Sequence, residues 1–185
     1  MDFSWTKEQL AYRSAVIEFA QRELNDNLIE NDKEGVLPRQ NWQKCADFGI
    51  LGLPIPEKYG GSDADILTTL LVMEGLGYGC RDNGLIFGMN AQLWSVQMPI
   101  LHSGTEAQKQ KYLVGVASGE AIGAYSLTEP MSGSDAGTMR SRAVRDGDHY
   151  IINGRKSWIT SGPVADYVVL FTMTDPEKKH RGITA

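Results

Sequence analysis

Residues 125–137 read YSLTEPMSGSDAG. The segment opens as an extended run, meets a proline and continues through Gly, Ser and Asp, so a strand is expected to end here in a polar loop. Pro130 offers no amide and fixes φ, which turns the chain out of its ladder after Glu129. Gly133 allows backbone to approach a ligand closely, and Ser134 with nearby amides can hold an anion. Alone, this pattern is an ordinary polar turn. A second segment, RKSWITSG at 155–162, shifts the balance. In an extended chain Lys156, Trp158 and Thr160 share one face, setting an indole beside a hydroxyl. One segment suits a phosphate and the other an aromatic ring; together they suit a flavin nucleotide.

The rest of the chain changes character near residue 120. Residues 1–120 read as a helical domain and 121–185 as a β-domain. Thr6 with Gln9 has capping-box spacing, and behind it Tyr12, Val16, Ala20, Leu24 and Leu28 recur every four residues, flanked by Ala15 and Phe19. A shorter helix is expected after Pro38, carrying Trp42, Cys45, Ala46 and Phe48 and ending near Gly49. LGLPIPEKYGGSDAD (51–65) is a loop by its prolines and its Gly-Gly pair. ILTTLLVMEGLGYG and LIFGMNAQLWSVQMPILHSG are apolar around most of their circumference and are expected to be interior helices. Thr105 with Gln108 opens a last helix. Downstream, Asp146-Gly147 and Asn153-Gly154 are hairpin signals, and ADYVVLFTMT reads as a buried strand. The ending HRGITA falls where another strand is starting, so an incomplete sheet with an exposed edge is expected, as part of a longer protein.

Composition narrows the function classes. The 185 residues carry 18 basic and 23 acidic side chains, a mildly acidic balance that argues against a nucleic-acid backbone or an anionic membrane as partner. The N-terminus lacks a secretory pattern and no apolar run reaches membrane-spanning length, so a cytoplasmic protein is expected. Cys45 and Cys80 have no CxxC spacing and read as two free buried thiols.

Other chemistries find little footing. His102, His149 and His180 are scattered without ligand spacing, so no metal site is expected. No G-x-S-x-G elbow occurs. GLGYGC (75–80) starts like a dinucleotide fingerprint, but it ends a helix instead of following a strand, and its glycines read as close helix packing and termination.

AYSLTEPMSGSDAG, then GDHYIINGRKSWITSG and ADYVVLF, together with upstream FGILGLPIPEKYGGSDAD, resemble the acyl-CoA dehydrogenase family over essentially the whole chain. Ser161 departs from that pattern, where Asn is frequent. The resemblance implies an α+β architecture: an all-α N-terminal helical domain followed by part of a small antiparallel β-barrel or sheet domain, with the family's C-terminal helical bundle absent. It implies FAD as cofactor, contacted by Tyr125, Ser126, Leu127, Thr128, Gly133 and Ser134 on one side. Trp158, Ile159 and Thr160 would lie against the other side, Thr160 near the hydride-accepting nitrogen. Ser134 would also serve acyl-CoA. The implied reaction is α,β-dehydrogenation of an acyl thioester, with an electron-transferring flavoprotein as acceptor and a homotetramer as the full-length assembly. The family's base is a Glu of the C-terminal bundle, so none of these residues is catalytic and the 185-residue chain alone is expected to be inactive. Glu129 reads as a structural hydrogen-bonding group. The resemblance also sets the acyl tail against residues 83–101, where Phe87, Met89 and Trp94 read equally well as core. An acyl-CoA oxidase or flavin monooxygenase on the same scaffold remains an alternative, as does a non-catalytic module binding a nucleotide or a partner protein.

Overall fold

The computed structural model describes residues 4–185, which form two compact units, one through Ala121 and one from Ile122 to Ala185. The fold is α+β: an all-helical first unit, then part of a β-domain. The first unit comprises α1 (Lys7–Glu23), α2 (Leu28–Glu34), α3 (Arg39–Asp47), α4 (Ile66–Gly79), α5 (Asn83–Asn90), α6 (Met98–Ser103) and α7 (Glu106–Ala117). Both capping boxes form, Thr6 with Gln9 and Thr105 with Gln108, each satisfying two donors that a helix start leaves open. Among the described residues, no helix is long and apolar enough to cross a membrane.

The four-residue stripe buries Val16, Ala20 and Leu24, while Ala15 is exposed. It does not stay on one helix as far as Leu28. α1 ends at Glu23, Asn27 takes a left-handed conformation (φ 54°), and Leu28 opens α2. Asn is among the few non-glycine residues that tolerate this region, so the chain redirects there at little cost. The α4 glycines act as the helix-packing reading expects. A Cβ on Gly79 would stand 2.7 Å from the Ile17 carbonyl oxygen, and one on Gly75 2.7 Å from Val16 Cγ1. α1 and α4 therefore touch backbone to backbone.

Two expectations for this unit need correction. α4 and α5 are not wholly interior: Ile66, Leu67, Leu70, Tyr78 and Phe87 are exposed. Their opposite faces, with Leu71, Val72, Leu76, Leu85 and Met89, hold the core. The long apolar run is also not one regular helix. Between α5 and α6 lies a π-helical stretch, Ala91–Gln97, just ahead of Pro99. Pro99 cannot donate to the carbonyl one turn back and crowds it, and a wider turn relieves that conflict. Two fully buried amides on this stretch reach neighbouring backbone: Gln92 Nε2 donates to Val116 O (3.0 Å) and Gln97 Nε2 to Leu51 O (2.8 Å). Gln97 thereby ties down the Pro/Gly loop, whose Leu51, Leu53 and Ile55 are core residues.

The second unit holds β1 (Gly123–Ser126), β2 (Arg142–Asp146), β3 (His149–Asn153), β4 (Tyr167–Leu170), β5 (Thr172–Met173) and β6 (Ile183–Thr184). β1 pairs β4 in parallel, and the larger sheet has the order β3-β2-β5-β6. In that sheet β2–β3 and β5–β6 are antiparallel, and β2 meets β5 in parallel at Arg142 and Met173. β3 is exposed along its whole length.

The hairpin turns at Gly147 (φ 60°), as Asp146-Gly147 signals. Asn153-Gly154 makes no hairpin: β3 stops there and the chain runs on without strand structure to residue 159. Gly154 is required for a different reason, since a Cβ on it would sit 2.6 Å from Ser141 Cα. ADYVVLFTMT is two strands, not one, because the chain leaves β1 after Leu170 and meets β2 at Met173. Val168 is exposed, so β4 is not the buried strand its β-branched composition indicates.

The α1–α4 contact yields a paired prediction. Gly79→Ala forces a Cβ against unyielding backbone and should lower stability by about 1–3 kcal/mol. Gly77→Ala, on the same helix with open space around it, should raise stability by about 0.5–1 kcal/mol. Urea unfolding of the two variants beside the parent chain reads both signs.

Candidate functional site

The two motifs lie side by side. The Ser157 amide donates to the Thr128 carbonyl (2.9 Å), joining YSLTEP directly to RKSWIT. β1 ends at Ser126, four residues before Pro130, and its end is held by the Phe171 amide on Ser126 O (3.1 Å). Tyr125 packs its ring against Phe171 at 5.0 Å between centroids. Beyond Thr128, Glu129 and Ser132 bond each other's backbone in both directions (2.9 and 3.1 Å), closing a tight turn over Pro130 and Met131. The Ser132 and Thr138 hydroxyls both donate to the Asp135 carbonyl (2.8 Å each), which folds the Gly-Ser-Asp loop back on itself.

A buried ion pair fastens the motifs. Lys156 Nζ donates to Glu129 Oε1 (3.1 Å) and to the Leu127 carbonyl (2.9 Å), with side chains only 10% and 5% exposed for Lys156 and Glu129. The Glu129 carboxylate also accepts the Arg140 amide (2.6 Å) and the Ser141 amide (2.9 Å). Burial works to raise the Glu129 pKa. The Ser141 hydroxyl nearby, which makes no aligned hydrogen bond, the two amides and the Lys156 ammonium outweigh burial and bring it down to about 2. Glu129 is thus the structural group its place beside the turn indicates. The sequence does not announce the role of Lys156 or of the Arg140–Ser141 amides; the opposite charges of Glu129 and Lys156 in the two motifs are the available signal.

The remaining named residues fall into two groups. Ser126 is buried and Tyr125 half-buried, and as neighbours on β1 they lie on opposite faces. Thr128, Ile159 and Thr160 are half-buried, while Gly133 and Ser134 are exposed. Among the described residues a Cβ on Gly133 would meet nothing within 4 Å, so none of them demands glycine there. Trp158 departs from its expected strand geometry. Its φ is +60° and it is 92% exposed, so Lys156, Trp158 and Thr160 do not alternate on one sheet face. A left-handed conformation is rare for a bulky aromatic residue and clusters at functional positions. Ser161 is also left-handed (φ 62°), and the Gly162 amide donates to the Ile159 carbonyl (3.0 Å) in the turn that follows.

The groups left over fit a flat, acceptor-rich ring. The Leu127 and Thr128 amides, the Thr128 and Thr160 hydroxyls and the Trp158 indole N–H donate to no group among the described residues. The carbonyl oxygens of Leu127 and Thr128, in contrast, are both occupied. An exposed indole plane beside uncommitted donors is the chemistry an isoalloxazine would meet. Among the described residues no three His, Cys, Asp or Glu side chains cluster as a metal site. Cys45 and Cys80 are buried free thiols whose pKa values burial pushes up. Of the three residues placed near an acyl tail, Met89 belongs to the core, Phe87 is exposed and Trp94 donates to Asn90 Oδ1 (3.2 Å).

The depressed Glu129 pKa fixes a sign. A carboxyl lowered from 4.5 to about 2 by folding contributes stability in full above pH 4.5, and this is lost as pH falls toward 2. The contribution is on the order of 3 kcal/mol. Glu129→Gln should lose about that much at pH 7, and the gap between variant and parent in urea unfolding should narrow steadily between pH 4.5 and 3.

The sequence is matched by the model for the acyl-CoA dehydrogenase N-terminal domain at residues 6–120 and by that for the middle domain at 124–185. The short-chain-specific acyl-CoA dehydrogenase of Clostridium acetobutylicum is 44% identical over 185 residues, 100% of this chain and 48% of the relative. The chain thus spans about half the length of the curated relatives it matches. The crystal structure of the prolyl acyl carrier protein oxidase AnaB superposes with a TM-score of 0.94 at 48% identity, covering 98% of this chain and 48% of that one. PigA with FAD and proline superposes with a TM-score of 0.93 at 33% identity, over 99% and 48% of the two chains. Contiguous matches to both domains, over a chain whose two motifs are bonded together, make it a member of the acyl-CoA dehydrogenase family.

Proposed function

We propose that this chain builds one wall of an FAD and acyl-CoA site used for α,β-dehydrogenation of an acyl thioester. The observation that carries the reading is the Ser157–Thr128 hydrogen bond, which sets the uncommitted donors of one motif beside the exposed indole of the other. Bound FAD supplies the acceptor for the β-hydrogen, which leaves as hydride. What the chain supplies is position. The Leu127 and Thr128 amides and the Thr128 hydroxyl would meet acceptor atoms of the isoalloxazine, and Tyr125 and Ser126 anchor that strip. Trp158, Ile159 and Thr160 would cover the ring from the other side, with Thr160 toward the hydride-accepting nitrogen. Gly133 leaves room for the pyrophosphate, and the Ser134 hydroxyl would serve it and the acyl-CoA.

The α-proton needs a separate base. Glu129 is unsuited: it is buried, takes two amides and an ammonium, and has a pKa of about 2. A weak, fully engaged base cannot take a proton from a thioester α-carbon at useful rates. Family membership supports the rest of the reading: a base on a C-terminal helical bundle, an electron-transferring flavoprotein as acceptor and a homotetramer.

A second reading is favoured by the 48% identity to a prolyl acyl carrier protein oxidase. Here the thioester would be on a carrier protein and molecular oxygen would take the electrons. Hydrogen peroxide formed in air from a prolyl-carrier thioester, without an electron-transfer partner, distinguishes it.

FAD added to the 185-residue chain should quench the Trp158 emission saturably, with the quenching lost in Trp158→Phe. Acyl-CoA of short, medium or long chain should then leave the flavin absorbance unbleached. Absence of FAD binding defeats the reading, whereas bleaching by this chain alone would restore Glu129 as a candidate base.

A further inference from the structure

We infer that Lys156 and Glu129 form a positioning pair that leaves the Leu127–Thr128 backbone offering only hydrogen-bond donors. This rests on the flavin reading above and goes beyond it, since neither residue would touch the cofactor. Each peptide unit carries one donor and one acceptor, so an exposed strip ordinarily offers both. Here both acceptors are taken from the protein side. Lys156 Nζ holds the Leu127 carbonyl at 2.9 Å, and the neighbouring Ser157 amide holds the Thr128 carbonyl at 2.9 Å. Among the described residues the two amides and the Thr128 hydroxyl donate to no group. A ring edge made of carbonyl oxygens and unprotonated nitrogens matches such a strip, and a ligand edge rich in N–H groups does not.

Glu129 sets where Lys156 stands. The carboxylate is itself fixed by the Arg140 and Ser141 amides, so the ammonium is aimed at Leu127 by a group that cannot drift. A lysine without this partner is a flexible point charge that prefers water. The pair also carries no net charge, so it orients the strip without adding a positive field of its own. Because aligned donors stabilise the more electron-rich form of a ring, the capped strip also raises the midpoint potential of a bound flavin.

The test compares three forms of the 185-residue chain by FAD titration and by spectroelectrochemical titration of the bound flavin, with circular dichroism confirming the fold. The double variant Glu129→Gln/Lys156→Met removes both buried charges together, which avoids leaving one unpaired. It should bind FAD at least about tenfold more weakly, the loss expected from misplacing one or two hydrogen bonds. Its bound flavin should have a lower midpoint potential. Lys156→Arg, which keeps a cation and its donors, should stay within about threefold of the parent. A merely structural role moves stability but leaves the potential of the bound flavin unchanged. Parental affinity and potential in a folded double variant overturn the inference and leave the flavin reading standing; a parent chain that binds no FAD overturns both. Should the double variant not fold, Glu129→Gln alone decides. The Leu127 carbonyl then loses a fixed cap, so weaker binding with a lowered potential supports the pair, and unchanged values overturn it.

Discussion

The β-unit depends on one buried ammonium. Lys156 reaches from a stretch without strand structure to the end of β1, and it bonds a carboxylate and a backbone carbonyl at once. Buried ion pairs are weak evidence for stability in general, because desolvation offsets most of the Coulomb attraction. This one is better satisfied than most, with Glu129 taking two further amides and Lys156 sharing its protons with Leu127. Its main effect is geometric. Regular pairing in this unit is short, two to five residues per strand. Leu127 to Glu129 and Lys156 to Thr160 lie outside it, so bonds between individual groups do the work there that a ladder does elsewhere.

The same constraint accounts for the open geometry around Trp158. A residue bonded in a sheet has its side chain dictated by the pleat. Trp158 follows Lys156 and Ser157, which are both committed, and precedes a turn that starts at Ile159. Its left-handed backbone puts the indole out from the surface instead of into the core. Such a conformation persists only where neighbouring contacts over-determine it, and the contacts on either side of this residue meet that condition.

Much of this was legible from residues. The capping boxes at Thr6 and Thr105 announced two helix starts because their chemistry is local. The Asp146-Gly147 turn was readable for the same reason, as was the proximity of the motifs from their shared resemblance. What escaped depended on tertiary context. Asn153-Gly154 has the same composition as a hairpin turn, and only the approach of Ser141 shows that its glycine answers to crowding. ADYVVLFTMT looks continuous because nothing in it marks where the chain passes from one sheet to another. Ile66, Leu67 and Leu70 are as apolar as Leu71 and Val72, and hydrophobicity alone does not tell which face of α4 is covered. Trp158 reads as a strand residue because periodicity assumes extended backbone throughout.

The β2–β3 hairpin stands apart from these fastenings. The three bonds that join the motifs, to Thr128, Leu127 and Glu129, are made by Lys156 and Ser157 beyond the far end of β3, and the tip at Gly147 and Asp148 is exposed. Residues spliced in at the tip would lengthen the loop without shifting either anchor, at a closure cost that grows only with the logarithm of its length. The hairpin is therefore a natural grafting point, where a tag or a sensor domain can be carried without disturbing the junction of Thr128 and Ser157.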